Sequence, residues 1–147
     1  HQIFTHVRFK KHVLEIRGTD RPPKGFEMAP AAFWVGLLTV DSIRDQLMKI
    51  FSRWSHEERK IANANASILN LSNIGPAGKS MMEWINLFSD LAIDGLKIRS
   101  ETLHIDNEQD LFNPYLKMIK ERGIPAIFMQ DDFHNNQKPL IEFLRNQ

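Results

Sequence analysis

The strongest constraint on the fold is a long segment, 80–98, in which apolar residues recur every three or four positions. These positions are Met81, Trp84, Ile85, Phe88, Leu91, Ala92 and Leu96. Such spacing is typical of an amphipathic α-helix that buries one side. A chain of 147 residues with 42% hydrophobic content is long enough to bury that side in a core. The sequence therefore predicts a helical domain built around this segment.

Local signals predict further helices before this segment. Pro30 suits the first turn of a helix, and Asp41 is an N-cap candidate for the next one. Ser55 and Glu58 have the spacing of a capping box. The helix that Ser55 begins is expected to reach about residue 70.

The segment after residue 98 is predicted to be less regular. We expect helices over 110–121 and 139–145. Between them, Asp131 and Asp132 lie in a polar stretch that we interpret as a solvated turn.

The first part of the chain has a different pattern. Residues 1–20 alternate loosely between polar and apolar types, which favours extended structure, and the glycines and prolines of 18–28 predict a loop. The predicted fold class is therefore α+β. Short antiparallel strands in a strand and loop segment, 1–28, precede a mostly helical subdomain, 29–147.

Composition excludes several classes of partner and site. The net charge of +1 gives no reason to expect binding to nucleic acid, and no apolar run approaches the ~20 residues that cross a bilayer. The absence of cysteine excludes disulfides and thiolate metal sites, and it fits a cytoplasmic protein. The histidines lack zinc-ligand spacing.

The best candidate for chemistry is the pair Glu15 and Arg17. On a strand these two residues project from the same face. They could form a simple ion pair. They could also bind a magnesium ion and the phosphate that accompanies it, because carboxylate oxygens suit magnesium and a guanidinium suits phosphate. The pattern alone leaves both readings open.

A second candidate is the segment 75–80, whose end is similar to a phosphate-binding loop. The full motif needs glycine where this chain has Asn73, and it needs a preceding apolar strand. We interpret Ser80 instead as the cap of the helix that follows.

Two motifs together are more specific than either alone. Residues 7–20 read VRFKKHVLEIRGTD, and residues 32–38 read AFWVGLL. This combination resembles the glutamate–cysteine ligase family, in its plant and proteobacterial type, over residues 1 to about 40. The resemblance implies a strand region from the end of a glutamine synthetase-like catalytic sheet. It also implies an enzyme that uses magnesium and ATP to join the γ-carboxylate of glutamate to the amine of cysteine through a γ-glutamyl phosphate.

The resemblance also implies roles for individual residues. Glu15 corresponds to a metal ligand and Arg17 to the residue that stabilises the transferring phosphoryl group. His1, Asp20 and Trp34 match family positions that are candidates for substrate binding.

The resemblance has limits that leave alternatives open. Thr19 stands where the family usually has alanine, which would fit a ligase with a different amine acceptor. The family's other metal-binding carboxylates come from preceding sequence, so we expect this chain to need the N-terminal catalytic half of the same protein and to be inactive alone. A non-catalytic helical interaction module remains the alternative.

Overall fold

A computed structural model describes residues 7–19, 21–136 and 139–145. Within these residues two strands are followed by seven α-helices, which confirms the predicted α+β class. The elements are β1 (Val7–Lys10), β2 (Val13–Ile16), α1 (Ala29–Leu38), α2 (Asp41–Ser52), α3 (His56–Ala66), α4 (Met81–Leu103), α5 (Gln109–Arg122), α6 (Pro125–Asn136) and α7 (Leu140–Arg145). The division of the chain at residues 28 and 29 stays a prediction.

The two strands form an antiparallel hairpin. Arg8 is paired with Glu15, and Lys10 is paired with Val13. The chain reverses at Lys11, whose φ of 56° lies in the left-handed region. The extended structure expected over 1–20 is thus interrupted by a tight turn instead of continuing through Lys10 and Lys11.

The centre of the helical part is the contact between α1 and α4. A Cβ atom added to Gly36 would collide with the backbone carbonyl of Ala92, and one added to Gly95 would collide with the carbonyl of Gly36. Only glycine lets the two backbones approach this closely. Because of this contact α1 and α4 pack as one unit.

The core spreads outward from this pair of helices. α2 and α5 contribute Ile43 and Phe112, which are 2% and 5% exposed. The buried members of the core are Ala29, Ala32, Leu37, Ile43, Leu47, Leu91, Ala92, Leu96, Phe112 and Leu116. Several of the apolar positions that predicted the helix over 80–98 therefore lie in the core.

The helix starts agree with the predicted caps in two of three cases. Ser55 and Ser80 each accept a hydrogen bond from the backbone N–H three residues later, and each forms a complete capping box. The interpretation of Ser80 as a helix cap is confirmed. The prediction for Asp41 is wrong. Val40 is the N-cap of α2, and Asp41 lies in the first turn, where it pairs with Arg44.

The helix ends differ from the predictions, and one helix was not predicted. α3 stops at Ala66, four residues early, whereas α4 continues to Leu103. The predicted turn at Asp131 and Asp132 is wrong, because both residues lie on α6. That helix buries Phe128, and Asp132 binds Arg122 of α5 at 3.1 Å.

Candidate active site

The hairpin has two chemically distinct faces. Residues paired across two strands project from the same face, and the faces alternate along each strand. One face therefore carries Arg8, Lys10, Val13 and Glu15, and the other carries Val7, Phe9, Leu14 and Ile16. We call them the charged face and the apolar face. The apolar face is open in this structure, with Phe9 75% and Leu14 58% exposed.

Two guanidinium groups approach one carboxylate on the charged face. Arg8 Nε donates a hydrogen bond to Glu15 Oε2 at 2.5 Å, and Arg17 Nε lies 3.9 Å from Glu15 Oε1. The predicted pair, Glu15 and Arg17, is thus brought together, although Arg17 lies one residue beyond the end of β2. The structure adds Arg8, which the sequence analysis missed.

The surrounding cations keep Glu15 ionised. The hydrogen bond from Arg8, followed by the charges of Arg8, Arg17 and Lys10, holds the pKa of Glu15 below its ordinary value. This arrangement suits a metal–phosphate complex. The ionised carboxylate can offer oxygen to the metal, and the guanidinium groups can bind the phosphate.

The donor chemistry of Glu15 fits a magnesium ligand, but only as one ligand. No group of three or more His, Cys, Asp or Glu residues that could hold a metal ion lies among the residues that the structure describes. Magnesium requires six oxygen ligands in near-octahedral geometry. Further ligands would have to come from water, phosphate or other protein segments.

Trp34 lies beside the end of the hairpin. Its Nε1 donates a hydrogen bond to Thr19 Oγ1 at 3.2 Å, and its ring packs edge-on against Phe33. The hydroxyl of Thr19, where the resemblance led us to expect alanine, is the acceptor for the Trp34 indole.

This corner opens into an apolar groove of about 830 Å³. Its walls come from the loop after β2 and from the helices around it. They include Gly18, Thr19, Phe33, Trp34, Tyr115 and Phe133. Trp34 thus lies in the wall of a ligand-sized groove. Thr19, at the edge of the same groove, is two residues along the chain from Arg17.

Two of the predicted substrate-binding residues, His1 and Asp20, lie outside the described residues. The missed residue, Arg8, could have been predicted from the position of the hairpin turn, which sets the residue paired with Glu15. Lys11 and His12 separate two alternating segments, and a two-residue turn there pairs residue 10 with 13 and residue 8 with 15. The signal is weak because neither turn residue is glycine or asparagine.

A comparison with known protein families matches residues 1–122 to Glutamate-cysteine ligase family 2. The match covers the hairpin, the groove corner and helices α1 to α5. This chain belongs to that family. The membership confirms the resemblance of the two sequence motifs, and it places Glu15, Arg17 and Trp34 within the matched region.

Individual relatives agree with the family. The chain is 25% identical over 141 residues to the chloroplastic glutamate–cysteine ligase of Medicago truncatula, covering 95% of the chain and 26% of that protein. It is 36% identical over 69 residues to the chloroplastic glutamate–cysteine ligase A of Oryza sativa subsp. indica, covering 47% of the chain and 14% of that protein. The chain thus spans about a quarter or less of the length of these relatives.

No solved structure matches the chain. Across the residues that the structure describes, none of the helices combines the length and apolar character needed to cross a membrane.

Proposed function

We propose that this chain supplies part of the active site of an ATP-dependent ligase. The reaction joins the γ-carboxylate of glutamate to the amine of cysteine through a γ-glutamyl phosphate, the first step of glutathione biosynthesis. Glu15 is a ligand of Mg²⁺, and Arg17 stabilises the phosphoryl group during its transfer from ATP. The observation that carries the proposal is the proximity of Glu15, on the charged face of the hairpin, to Arg17 in a chain of this family.

The charges of this face suit phosphoryl transfer. Mg²⁺ neutralises the triphosphate, and a cation must balance the charge spread over the moving phosphoryl oxygens. Arg17 follows the last residue of β2, and its Nε lies 3.9 Å from Oε1 of the ionised Glu15, so the cation and the metal ligand are neighbours. The planar guanidinium can also bind two phosphate oxygens at once, which an ammonium group cannot do.

The rest of the protein completes the site in this proposal. The chain corresponds to 26% of the Medicago truncatula relative, and Glu15 is one of six ligands that Mg²⁺ needs. The preceding catalytic half of the same protein would supply the other ligands and the contacts to nucleotide and glutamate. This chain alone should therefore be inactive.

The test is ADP release by the full-length protein with Mg²⁺, ATP and glutamate, in the presence and absence of cysteine. We expect cysteine-dependent turnover in the unsubstituted protein. Arg17→Lys should lower kcat by about a thousandfold, because a point charge does not reproduce the two-pronged contact. Lys11→Arg at the hairpin turn is the control and should retain normal turnover.

Two outcomes would contradict parts of the proposal. Full turnover in Arg17→Lys would remove the role of Arg17. A folded protein that turns over no ATP, whichever amine is offered, would overturn the ligase, and the open apolar face would then favour a non-catalytic interaction module.

A second candidate is a carboxylate–amine ligase with another amine acceptor. The contact between Thr19 and Trp34 favours it, because that contact lies at the groove and depends on a residue that departs from the family pattern. Turnover with an apolar amine but not with cysteine would support this candidate. The cytoplasmic location stays a prediction, and the relatives named above are chloroplastic.

A further inference from the structure

We infer that Arg8 is a positioning residue that orients Glu15 toward the metal. This inference rests on the proposed function, because it assumes that Glu15 binds Mg²⁺. It assigns a role to a residue that lies on the other strand of the hairpin and that the sequence motifs do not single out.

The geometry assigns the two oxygens of Glu15 to different partners. Arg8 Nε contacts Oε2 at 2.5 Å, whereas the nearest atom of Arg17 in the ion pair is 3.9 Å from Oε1. The hydrogen bond from Arg8 therefore engages Oε2 and leaves Oε1 for another partner. Oε1 is then the oxygen on the side of Arg17, where the phosphate would lie.

The register of the hairpin places the two side chains next to each other. Arg8 and Glu15 are directly paired across the two strands, so their Cα positions are fixed by the backbone ladder. A hydrogen bond from the paired strand restricts the orientations of the Glu15 carboxylate before it binds the metal. Partners that hold a metal ligand by hydrogen bonds typically affect metal affinity by about 10–100-fold.

The simpler reading is a cross-strand ion pair that only stabilises the hairpin. The side chains of Arg8 and Glu15 are 45% and 38% exposed, and solvent screens such pairs so strongly that their effect on stability is small. The hairpin also has an excess of cations, with Glu15 as the single carboxylate in the sequence from residue 7 to residue 19. Pairing for stability does not require two guanidinium groups on one acid, and here Arg8 and Arg17 approach different oxygens of Glu15.

The test measures metal binding directly in the full-length protein. Mn²⁺ replaces Mg²⁺ as the probe, and free Mn²⁺ is measured by electron paramagnetic resonance in the presence of ADP. Arg8→Gln should raise the Mn²⁺ dissociation constant about tenfold. The Mg²⁺ concentration for half-maximal turnover should rise by a similar factor, while kcat at saturating Mg²⁺ stays close to normal.

Lys10→Gln is the matched control. Lys10 lies on the same face as Arg8 and acts on Glu15 only through its charge. The substitution removes the same charge as Arg8→Gln. We expect its Mn²⁺ dissociation constant to change by about twofold at most, since solvent screens that charge. Arg8→Lys keeps the charge without the guanidinium geometry and should be intermediate.

The outcomes separate this inference from the proposed function. Normal or tighter Mn²⁺ binding in Arg8→Gln, with turnover still lost in Arg17→Lys, would overturn the role of Arg8 alone. Equal weakening in Arg8→Gln and Lys10→Gln would also overturn it, because charge and not orientation would be the cause. A folded unsubstituted protein that binds no Mn²⁺ with ADP would overturn both.

Discussion

The carboxylate of Glu58 accepts a hydrogen bond from the backbone N–H of Ala77 at 2.8 Å. The same carboxylate accepts one from the backbone N–H of Ser55, where it completes the capping box of α3. Ala77 has a φ of 52° and lies in a short 3-10 turn just before α4. One side chain thus connects the start of α3 to the turn that leads into the central helix.

This contact predicts a pH-dependent effect of Glu58→Gln. The hydrogen bonds from Ala77 and Ser55 lower the pKa of Glu58 from the ordinary value of 4.5. The ionised carboxylate therefore stabilises the fold above that value, and the contribution is lost as the pH falls through the lower pKa of the folded state. The melting temperature of Glu58→Gln should lie below that of the unsubstituted protein at neutral pH, and the difference should narrow in acid.

Differential scanning calorimetry from neutral pH down to about pH 3 would check this prediction. Glu57→Gln is the neighbouring control, because Glu57 makes only an exposed ion pair with Lys60 at 3.5 Å. It should change the melting temperature little at any pH. A difference for Glu58→Gln that stays constant over the whole range would contradict the proposed cause.

The second prediction concerns the contact between α1 and α4. Gly95→Ala places a methyl group on the backbone carbonyl of Gly36, which the two packed helices cannot easily move. Overpacking of this kind costs about 2 kcal/mol, and more where backbone must shift. We expect that loss in the free energy of unfolding measured with urea.

The adjacent residue provides the control for Gly95→Ala. Asp94 lies on the same helix and is exposed. Asp94→Ala raises helix propensity without entering the contact, so it should leave stability unchanged or slightly higher. If Gly95→Ala were as stable as Asp94→Ala, the close approach of the two helices would be refuted.

The sequence predicted those parts of the fold that have local signals. The capping boxes at Ser55 and Ser80 are determined by residues three apart, and the pattern of α4 is determined by its own apolar spacing. α6 lacks such signals. It is stabilised by tertiary contacts, through the burial of Phe128 and the ion pair between Asp132 and Arg122 of the preceding helix.

At the candidate site, the sequence predicted the proximity of Glu15 and Arg17, and their roles stay predictions. The two-residue repeat of a strand predicted that Glu15 and Arg17 are neighbours, and they are, although β2 ends at Ile16. Arg8 joins them only through the register of the hairpin. That register depends on a turn with a left-handed lysine, a conformation that the residue type does not favour.

The third prediction concerns the apolar face of the hairpin. A two-stranded hairpin alone is marginally stable in water, and Phe9 is 75% exposed here. If the preceding part of the protein covers this face, Phe9→Ala should lower the unfolding free energy of the full-length protein by about 3 kcal/mol. Urea denaturation would measure the loss.

Lys10→Ala is the control for the apolar face. Lys10 lies next to Phe9 on the opposite face of the ribbon, so its removal should change stability by less than about 0.5 kcal/mol. Equal stability of the two variants would mean that Phe9 stays exposed in the full-length protein. The hairpin would then not be part of a larger packed sheet.

The fourth prediction uses the hydrogen bond between Trp34 and Thr19. Thr19→Val keeps the shape of the side chain but removes the acceptor for the indole N–H, which lies 3.2 Å away. A hydrogen bond of this kind is worth about 1 kcal/mol, which corresponds to about a fivefold change in an equilibrium constant. If the groove binds the amine acceptor, KM for the amine should rise by about that factor, while kcat and KM for ATP stay close to normal.

Steady-state kinetics with the amine varied at saturating ATP would check this prediction. Thr39→Val is the control, because the hydroxyl of Thr39 donates to Val35 at the other end of α1 and does not line the groove. It should leave all three constants unchanged. A rise in KM for ATP with KM for the amine unaffected would assign the corner at Trp34 to the nucleotide instead of the amine.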